Sequence, residues 1–233
     1  MDPMPRLRVL GGFELLVGTQ PVPLPRNAQR LLGFVAVRRS NVLRGTVAGN
    51  LWPNSTQTRA QASLRTALWR LHQGHPRLVV SNQRAIRIHD QLYIDLQAAT
   101  ALARQVLKDD YDPAVALFGV LSDDLLPDWD EDWVFLERER VREMRIHALE
   151  SLSRHFTRTR NFAAAIDAAY VAIAGEPLRE SSRAALIEAH LAEGNRALAA
   201  RDLAEYRILL GNELGLEPSP KLCARLNPQA RND

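Results

Sequence analysis

The apolar positions of this chain change their period from one stretch to the next, and the changes mark its elements. Leu7 to Leu10 and Phe13 to Val17 alternate loosely with polar residues on either side of Gly11-Gly12. That is the pattern of two strands joined by a turn in which glycine takes positive φ. Gly18-Thr19-Gln20 reads as a second turn, leading to a brief strand near Val22 that Pro23 and Pro25 close. The period then lengthens. Leu31, Leu32, Phe34 and Val35 form the buried stripe of a helix over Gln29 to Arg38, and Val42-Leu43 is a tiny strand or the lead into the next helix. Val47 and Leu51, at i and i+4, give a short helix over Gly45 to Leu51.

The strongest periodic signal follows, LWPNSTQTRAQASLRTALWRLH from Leu51 to His72. Pro53 stops the preceding helix, and Ser55, Thr56 and Thr58 offer oxygens to cap a new one. Ala60, Leu64, Ala67, Leu68 and Leu71 then share one apolar face. Arg59, Ser63, Thr66 and Arg70 fall on another face, flanked by Gln61 and Arg65, with Trp69 between the two as a partly buried packing residue. Beyond the helix, Leu78-Val79-Val80, Ser81-Asn82-Gln83 and Arg84 to His89 read as strand, tight turn and strand. A helix, a turn, a second helix with a basic polar face and then a hairpin is the order of a winged helix-turn-helix. On such a frame Arg can bond guanine bidentately, Gln can bond adenine, and Thr can meet a methyl or a phosphate. Arg77, Arg84 and Arg87 on the wing are placed for phosphates or the neighbouring minor groove, and Arg26 and Arg44 near other helix ends for phosphates.

From Leu96 onward the pattern is helical throughout. Stretches over Ala98 to Leu107, Pro113 to Leu121, Val134 to Arg160, Phe162 to Ala174, Arg179 to Ala192 and Arg196 to Leu210 each carry a helical stripe. Asn161 and Asn195 lie 34 residues apart, as do Ala165 and Ala199. That interval is the tetratricopeptide period, with alanine where paired helices approach. An acidic loop, SDDLLPDWDEDW over residues 122–133, interrupts the helices, and its Trp129 and Trp133 are expected to pin it to the helical body. Its carboxylates have neither a histidine partner nor EF-hand spacing, so no metal or other cofactor is expected.

Composition adds a division. The 233 residues suffice for one large core or two modest ones, and the net charge is only +3. Residues 1–95, however, hold 13 arginines and no lysine against 4 acids, a balance of +9, which leaves −6 for the remainder. The basic part is the candidate for meeting a polyanion. A single cysteine, Cys223, fits a reducing compartment. No apolar run reaches spanning length, and MDPMPRLRVLGG lacks a signal-peptide pattern, so a soluble cytoplasmic protein is expected. The six histidines are scattered, and GxSxG, HExxH and P-loop motifs are missing, so no enzyme is expected. Single-stranded RNA would call for stacking aromatics, and residues 55–95 offer only Trp69 and Tyr93.

Taken together, LRVLGGFEL, the Leu-Leu helix, LWP, ASLRTALWRLH and a hairpin ending in Tyr93-Ile94-Asp95-Leu96 resemble the OmpR-type winged helix of the Streptomyces antibiotic regulatory protein (SARP) family. The second half resembles the bacterial transcriptional activator domain of the same family, in LLPDWDEDW, GEPLRESSRAALIEAHLAEGN and YRILLGNELGLEPSPKL. Two departures are visible. The wing turn has no glycine, so Asn82 would have to tolerate positive φ, and His72-Gln73 stands where the family often continues with arginine.

The resemblance implies an α+β winged-helix domain over residues 1–95, an all-α tetratricopeptide-like activator domain over 96–226, and a frayed tail over 227–233. It also implies binding to double-stranded promoter DNA at direct repeats, with a second protomer alongside on the DNA. Recruitment of RNA polymerase, often at a secondary-metabolite gene cluster, completes the expectation. The DNA-facing residues would be Arg59, Gln61, Ser63, Arg65, Thr66 and Arg70 on the helix, Arg77, Arg84 and Arg87 on the wing, and Arg26 and Arg44. The alternative is a protein-interaction scaffold whose helical repeats bind a partner and whose winged helix binds no DNA.

Overall fold

In the computed structural model, β1 (Pro5–Arg8) and β2 (Glu14–Val17) pair antiparallel, with Pro5 opposite Val17 and Arg8 opposite Glu14. The connection turns through Gly11 at φ +74° and Gly12 at φ +146°, as the glycine pair predicts. β3 (Gln20–Pro21) extends this sheet beyond β2, and β7 (Tyr93–Ile94) closes it on the other side, parallel to β1. The structure describes residues 4–38, 40–74, 78–108 and 119–226, and the chain divides into two compact units. Met1–Ala99 with Asp123–Val141 form the first, Thr100–Ser122 with Arg142–Asp233 the second.

Between the strands of the first unit lie α1 (Arg26–Arg38), β4 (Val42–Leu43), α2 (Arg44–Leu51) and α3 (Gln57–Gly74). β5 (Val79–Ser81) and β6 (Ala85–Ile88) follow, and the small sheet runs β4-β6-β5. Leu7, Leu15, Leu31, Leu32, Phe34, Leu51, Leu64, Leu71, Leu78, Ile86 and Ile94 are all fully buried, so strands and helices share one core. Three helices, a flanking sheet and a terminal hairpin make this unit a winged helix.

The acidic loop returns to this unit. Leu126 N–H donates to the Val9 carbonyl at 2.8 Å, and Gly11 N–H donates to the Asp124 carbonyl at 2.8 Å. Trp129 stacks on Phe13 at 5.6 Å between ring centroids, and Trp133 meets Phe34 edge-on at 5.0 Å. The two tryptophans therefore pin the loop to the strands and α1, and not to the helical body as the sequence led us to expect. Gly33 explains why: a Cβ there would lie 3.2 Å from the Trp129 ring, so the missing side chain opens the socket. The Arg138 guanidinium donates to the carbonyls of Leu125, Leu126 and Trp129, which holds Leu126 at φ +44°.

In the chain's second half the elements are α4 (Asp95–Leu107), α5 (Gly119–Ser122), α6 (Asp132–Arg158) and α7 (Phe162–Gly175). Next come α8 (Glu180–Glu193), α9 (Arg196–Leu214) and the short α10 (Pro220–Cys223). Of the helix expected over Pro113 to Leu121, residues 113–118 lie outside the described residues, as does the expected tail at 227–233. The 34-residue echo has a structural meaning. Asn161 and Asn195 stand at the N-caps of α7 and α9, and Ala165 and Ala199, one turn inside each helix, are fully buried. Gly194 at φ +98° and Gly215 at φ +67° end α8 and α9 in the left-handed conformation. This unit is the tetratricopeptide-like half of the fold. No described helix is long and apolar enough to cross a membrane.

Candidate nucleic-acid interface

α3 starts where its sequence says it should. Thr56 lies just before the helix, its Oγ1 accepting from Arg59 N–H at 3.4 Å and its carbonyl accepting from Ala60 N–H at 2.9 Å. Ala60, Leu64, Ala67, Leu68 and Leu71 are buried, as their spacing predicts. Opposite them the exposed face runs through Thr58, Ala62, Arg65, Thr66, Trp69 and Gln73, with Arg59 and Arg70 on one shoulder. Gln61 and Ser63 are half-buried. Two residues apart on a helix means about 200° of rotation, so these two flank the buried stripe on opposite sides. Arg65 thus sits closer to the centre of the exposed face than either.

Trp69 is the residue that sequence reasoning placed differently. It is 51% exposed, and the Arg70 guanidinium lies over its ring at 4.9 Å. The periodicity already contained the answer. Counted at 100° per residue, Trp69 falls almost diametrically opposite the mean of the buried positions.

Four of the expected residues converge. Arg26, Ser63, Thr66 and Arg70, together with Pro25, Asn27 and Ala62, line a shallow depression of about 420 Å³ where the start of α1 meets α3. The Arg26 guanidinium is shared with other partners: it lies 4.6 Å over the Trp129 ring and 3.7 Å from Glu131. Glu131 also takes Arg30 Nε at 2.7 Å and the Trp133 indole N–H at 2.7 Å. Neither the tie to Glu131 nor that to Trp129 is visible in the local pattern, because about a hundred residues separate the partners.

A second group gathers at the wing turn. Asn82 N–H donates to the Ala85 carbonyl, while Asn82 Oδ1 accepts from the N–H groups of Arg84 and Ala85 at 2.8 Å each. The turn without glycine is therefore held by an asparagine side chain standing in for backbone, with no positive φ at Asn82. Arg84 is exposed at the tip, and Arg44 donates its N–H to the Arg84 carbonyl and its guanidinium to the Asn82 carbonyl. Arg87 is turned back on its own strand, bonded to the Ile88 carbonyl and to Asp90 at 2.8 Å. Arg77 lies outside the described residues. Among the described residues, Arg44, Arg59, Arg65, Arg70 and Arg84 make no ion pair; all are exposed except Arg44, which is half-buried with its guanidinium on the Asn82 carbonyl.

Asp95 fastens the base of this frame. Its carboxylate accepts from the N–H groups of Val9, Leu10 and Leu96 at 2.7–3.1 Å, tying the entry of α4 to the end of β1. Burial nevertheless pushes its carboxyl above the ordinary value of 3.8, against the pull of those N–H groups and of Arg8.

A winged helix whose third helix, α3, bears exposed arginines, joined to tetratricopeptide-like helices, has the build of a transcription regulator. Residues 94–227 match the profile of the bacterial transcriptional activator domain. The chain belongs to that family and is a transcription regulator of the SARP type. Its fold is similar to that of Mycobacterium tuberculosis EmbR, solved in complex with a low-affinity phosphopeptide. The TM-score is 0.73 at 19% identity over 97% of this chain. The chain spans 65% of the length of that relative. No curated protein matches the sequence.

Proposed function

We propose that the protein activates transcription by reading double-stranded promoter DNA with α3 and the wing, and by bringing RNA polymerase to the site. The observation that carries this reading is the solvent face of α3, where Arg59, Arg65 and Arg70 stand without counter-ions on a helix whose other side is core. In this reading Arg59, Arg65, Thr66 and Arg70 meet base edges or phosphates in the major groove, with Gln61 and Ser63 at its margins. Arg44, Arg84 and Arg77 serve the wing's phosphates, Arg87 does so only on release from Asp90, and Arg26 completes the depression beside Ser63, Thr66 and Arg70. Two protomers occupy direct repeats, and the target is a secondary-metabolite gene cluster in the cytoplasm of the producing cell.

The test is binding to duplex DNA from upstream of the neighbouring gene cluster, with a scrambled duplex as competitor, at two salt concentrations. Selective binding that weakens steeply with salt is expected. Arg65→Ala is expected to cost about 1–3 kcal/mol and to relax specificity at one position if it reads a base. Absence of binding at low salt would leave the helical unit as a protein-interaction scaffold.

A further inference from the structure

A tryptophan exposed at the middle of a polar, arginine-flanked helix face offers a broad apolar surface to whatever that face meets. Trp69 is such a residue. It is 51% exposed and lies in one stripe with exposed Ala62, bordered by Arg65, Thr66, Arg70 and Gln73. The Arg70 guanidinium at 4.9 Å covers one part of the ring, and no other aromatic ring of the described residues stacks on it. Packing in the core is done by Ala67, Leu68 and Leu71 on the other side of the helix, so the fold does not need the indole.

The major groove of duplex DNA presents donors and acceptors on every base pair but one kind of apolar group, the 5-methyl of thymine. We infer that Trp69 packs its indole on thymine methyls of the operator, so that the protein selects T at the positions facing the C-terminal half of α3. This rests on the DNA-binding reading of α3. Arg70, stacked on the same ring, is thereby held beside the contacted base pair, with its guanidinium free to bond a neighbouring guanine or phosphate. The ligand is thus a double-stranded segment with thymine at one or two defined positions, and the contact depends on a methyl group rather than on a hydrogen bond.

Deoxyuridine differs from thymidine only by that methyl, and it preserves base pairing and every polar group in the groove. The full-length chain is first used to select duplexes from a random pool. Each thymine of the selected duplex is then replaced singly by uracil, and affinities are measured for the wild type and for Trp69→Ala. Wild-type protein is expected to lose affinity about fourfold at one or two positions and nowhere else, the factor corresponding to one methyl withdrawn from apolar contact. Trp69→Ala is expected to bind the thymine duplex more weakly and to bind the uracil duplexes no worse than the thymine one. Because the side chain is exposed, the variant's melting curve should match the wild type's, which separates lost contact from lost fold. If Trp69→Ala weakens all duplexes equally while the uracil effect persists in both proteins, the methyl is read by another residue and the inference is overturned. If no uracil position matters to the wild type, it is overturned as well. Failure of the full chain to select any duplex would instead bring down the DNA-binding reading itself, and this inference with it.

Discussion

Replacing Trp129 by alanine tests whether the acidic segment is part of the DNA-binding unit or an ornament on it. The side chain is 4% exposed, stacks on Phe13 at 5.6 Å, meets Trp133 edge-on at 6.0 Å and fills the space above Gly33. Removing a buried Trp side chain costs about 3–5 kcal/mol, the transfer term plus the cavity left behind. Loss of the Arg26 guanidinium stacked on it at 4.6 Å adds about 0.5–1 kcal/mol at such a half-exposed site. A total of about 4–5 kcal/mol is a large share of the roughly 5–15 kcal/mol that holds a domain together. The chain offers a clean probe, since its four tryptophans, Trp52, Trp69, Trp129 and Trp133, all lie in the first unit. Urea unfolding followed by indole fluorescence reports that unit alone, and with a slope of about 2 kcal/mol per M the midpoint should fall by about 2 M. Phe135→Ala, nearby in sequence but at a side chain 61% exposed, should stay within about 0.5 kcal/mol of wild type. A Trp129→Ala midpoint within 0.5 M of wild type would refute the reasoning. So would a loss confined to the helical signal at 222 nm with the fluorescence transition unmoved.

Three further outcomes follow from single sites. Gly11→Ala should destabilise the first unit by about 1–2 kcal/mol in the same fluorescence assay, because L-residues resist positive φ; the site has φ +74° and a Cβ would lie 3.2 Å from Asp123 Oδ2. In the helical unit, buried Glu150 accepts from Arg179 Nε, Ser181 Oγ and Ser182 Oγ. Glu150→Ala should therefore lower that unit's stability by about 2 kcal/mol, read by circular dichroism, since it leaves the buried Ser182 hydroxyl without its acceptor and takes from Arg179 one of its two carboxylates, the other being Glu143 at 2.7 Å. Asp202, 3% exposed and 3.3 Å from His190 Nε2, has its carboxyl pushed up from 3.8 by burial, with His190 and Arg201 pulling the other way. An acid raised on folding contributes stability that is fully present below pH 3.8 and lost as pH rises through the folded value. The stability difference between wild type and Asp202→Asn should accordingly decline as pH rises through that window and stay flat above it. A difference that grows with pH would show that the His190 attraction outweighs burial.

Much of this fold was legible because its signals are local. The Gly11-Gly12 turn, the cap at Thr56, the apolar stripe of α3 and the alanines of the 34-residue echo all depend on residues within a turn or a repeat of one another. What escaped local reading depends on distant partners. Asp95 finds Val9 and Leu10 across more than eighty residues, and Glu131 finds Arg30 across a hundred. The socket for Trp129 is made by the absence of a side chain at Gly33, which no periodicity records. At the wing, loss of glycine was read as a demand for positive φ, whereas Asn82 meets the turn with its own carbonyl oxygen. Trp69 escaped for another reason. Its helical angle was legible, but size and apolarity weighed it toward the core, and only the packing of Leu68 and Leu71 showed that the core was already full.

The charge asymmetry along the chain also changes meaning in three dimensions. The first unit gathers residues 123–141 to itself, and with them its tally becomes 15 arginines against 12 acids, a net +3 in place of the +9 of residues 1–95. The neutralisation is local. Glu131 takes Arg30 and reaches Arg26, and Glu137 reaches Arg38, so the arginines of α1 have their counter-ions within the protein. Those of α3 and the wing tip do not. If DNA binds as proposed, its salt dependence should come from the second group. Each phosphate neutralised contributes about 0.9 to the slope of log K against log salt. Arg70→Ala should therefore reduce the slope by about that amount if Arg70 meets a phosphate, while Arg26→Ala should reduce it by clearly less, because Glu131 already offsets part of that charge. Titrations of both variants at four salt concentrations decide the matter. Equal reductions would mean that Arg26 leaves Glu131 for the DNA, and the acidic segment would then be a competitor of the phosphate backbone rather than a fixed strut of the domain.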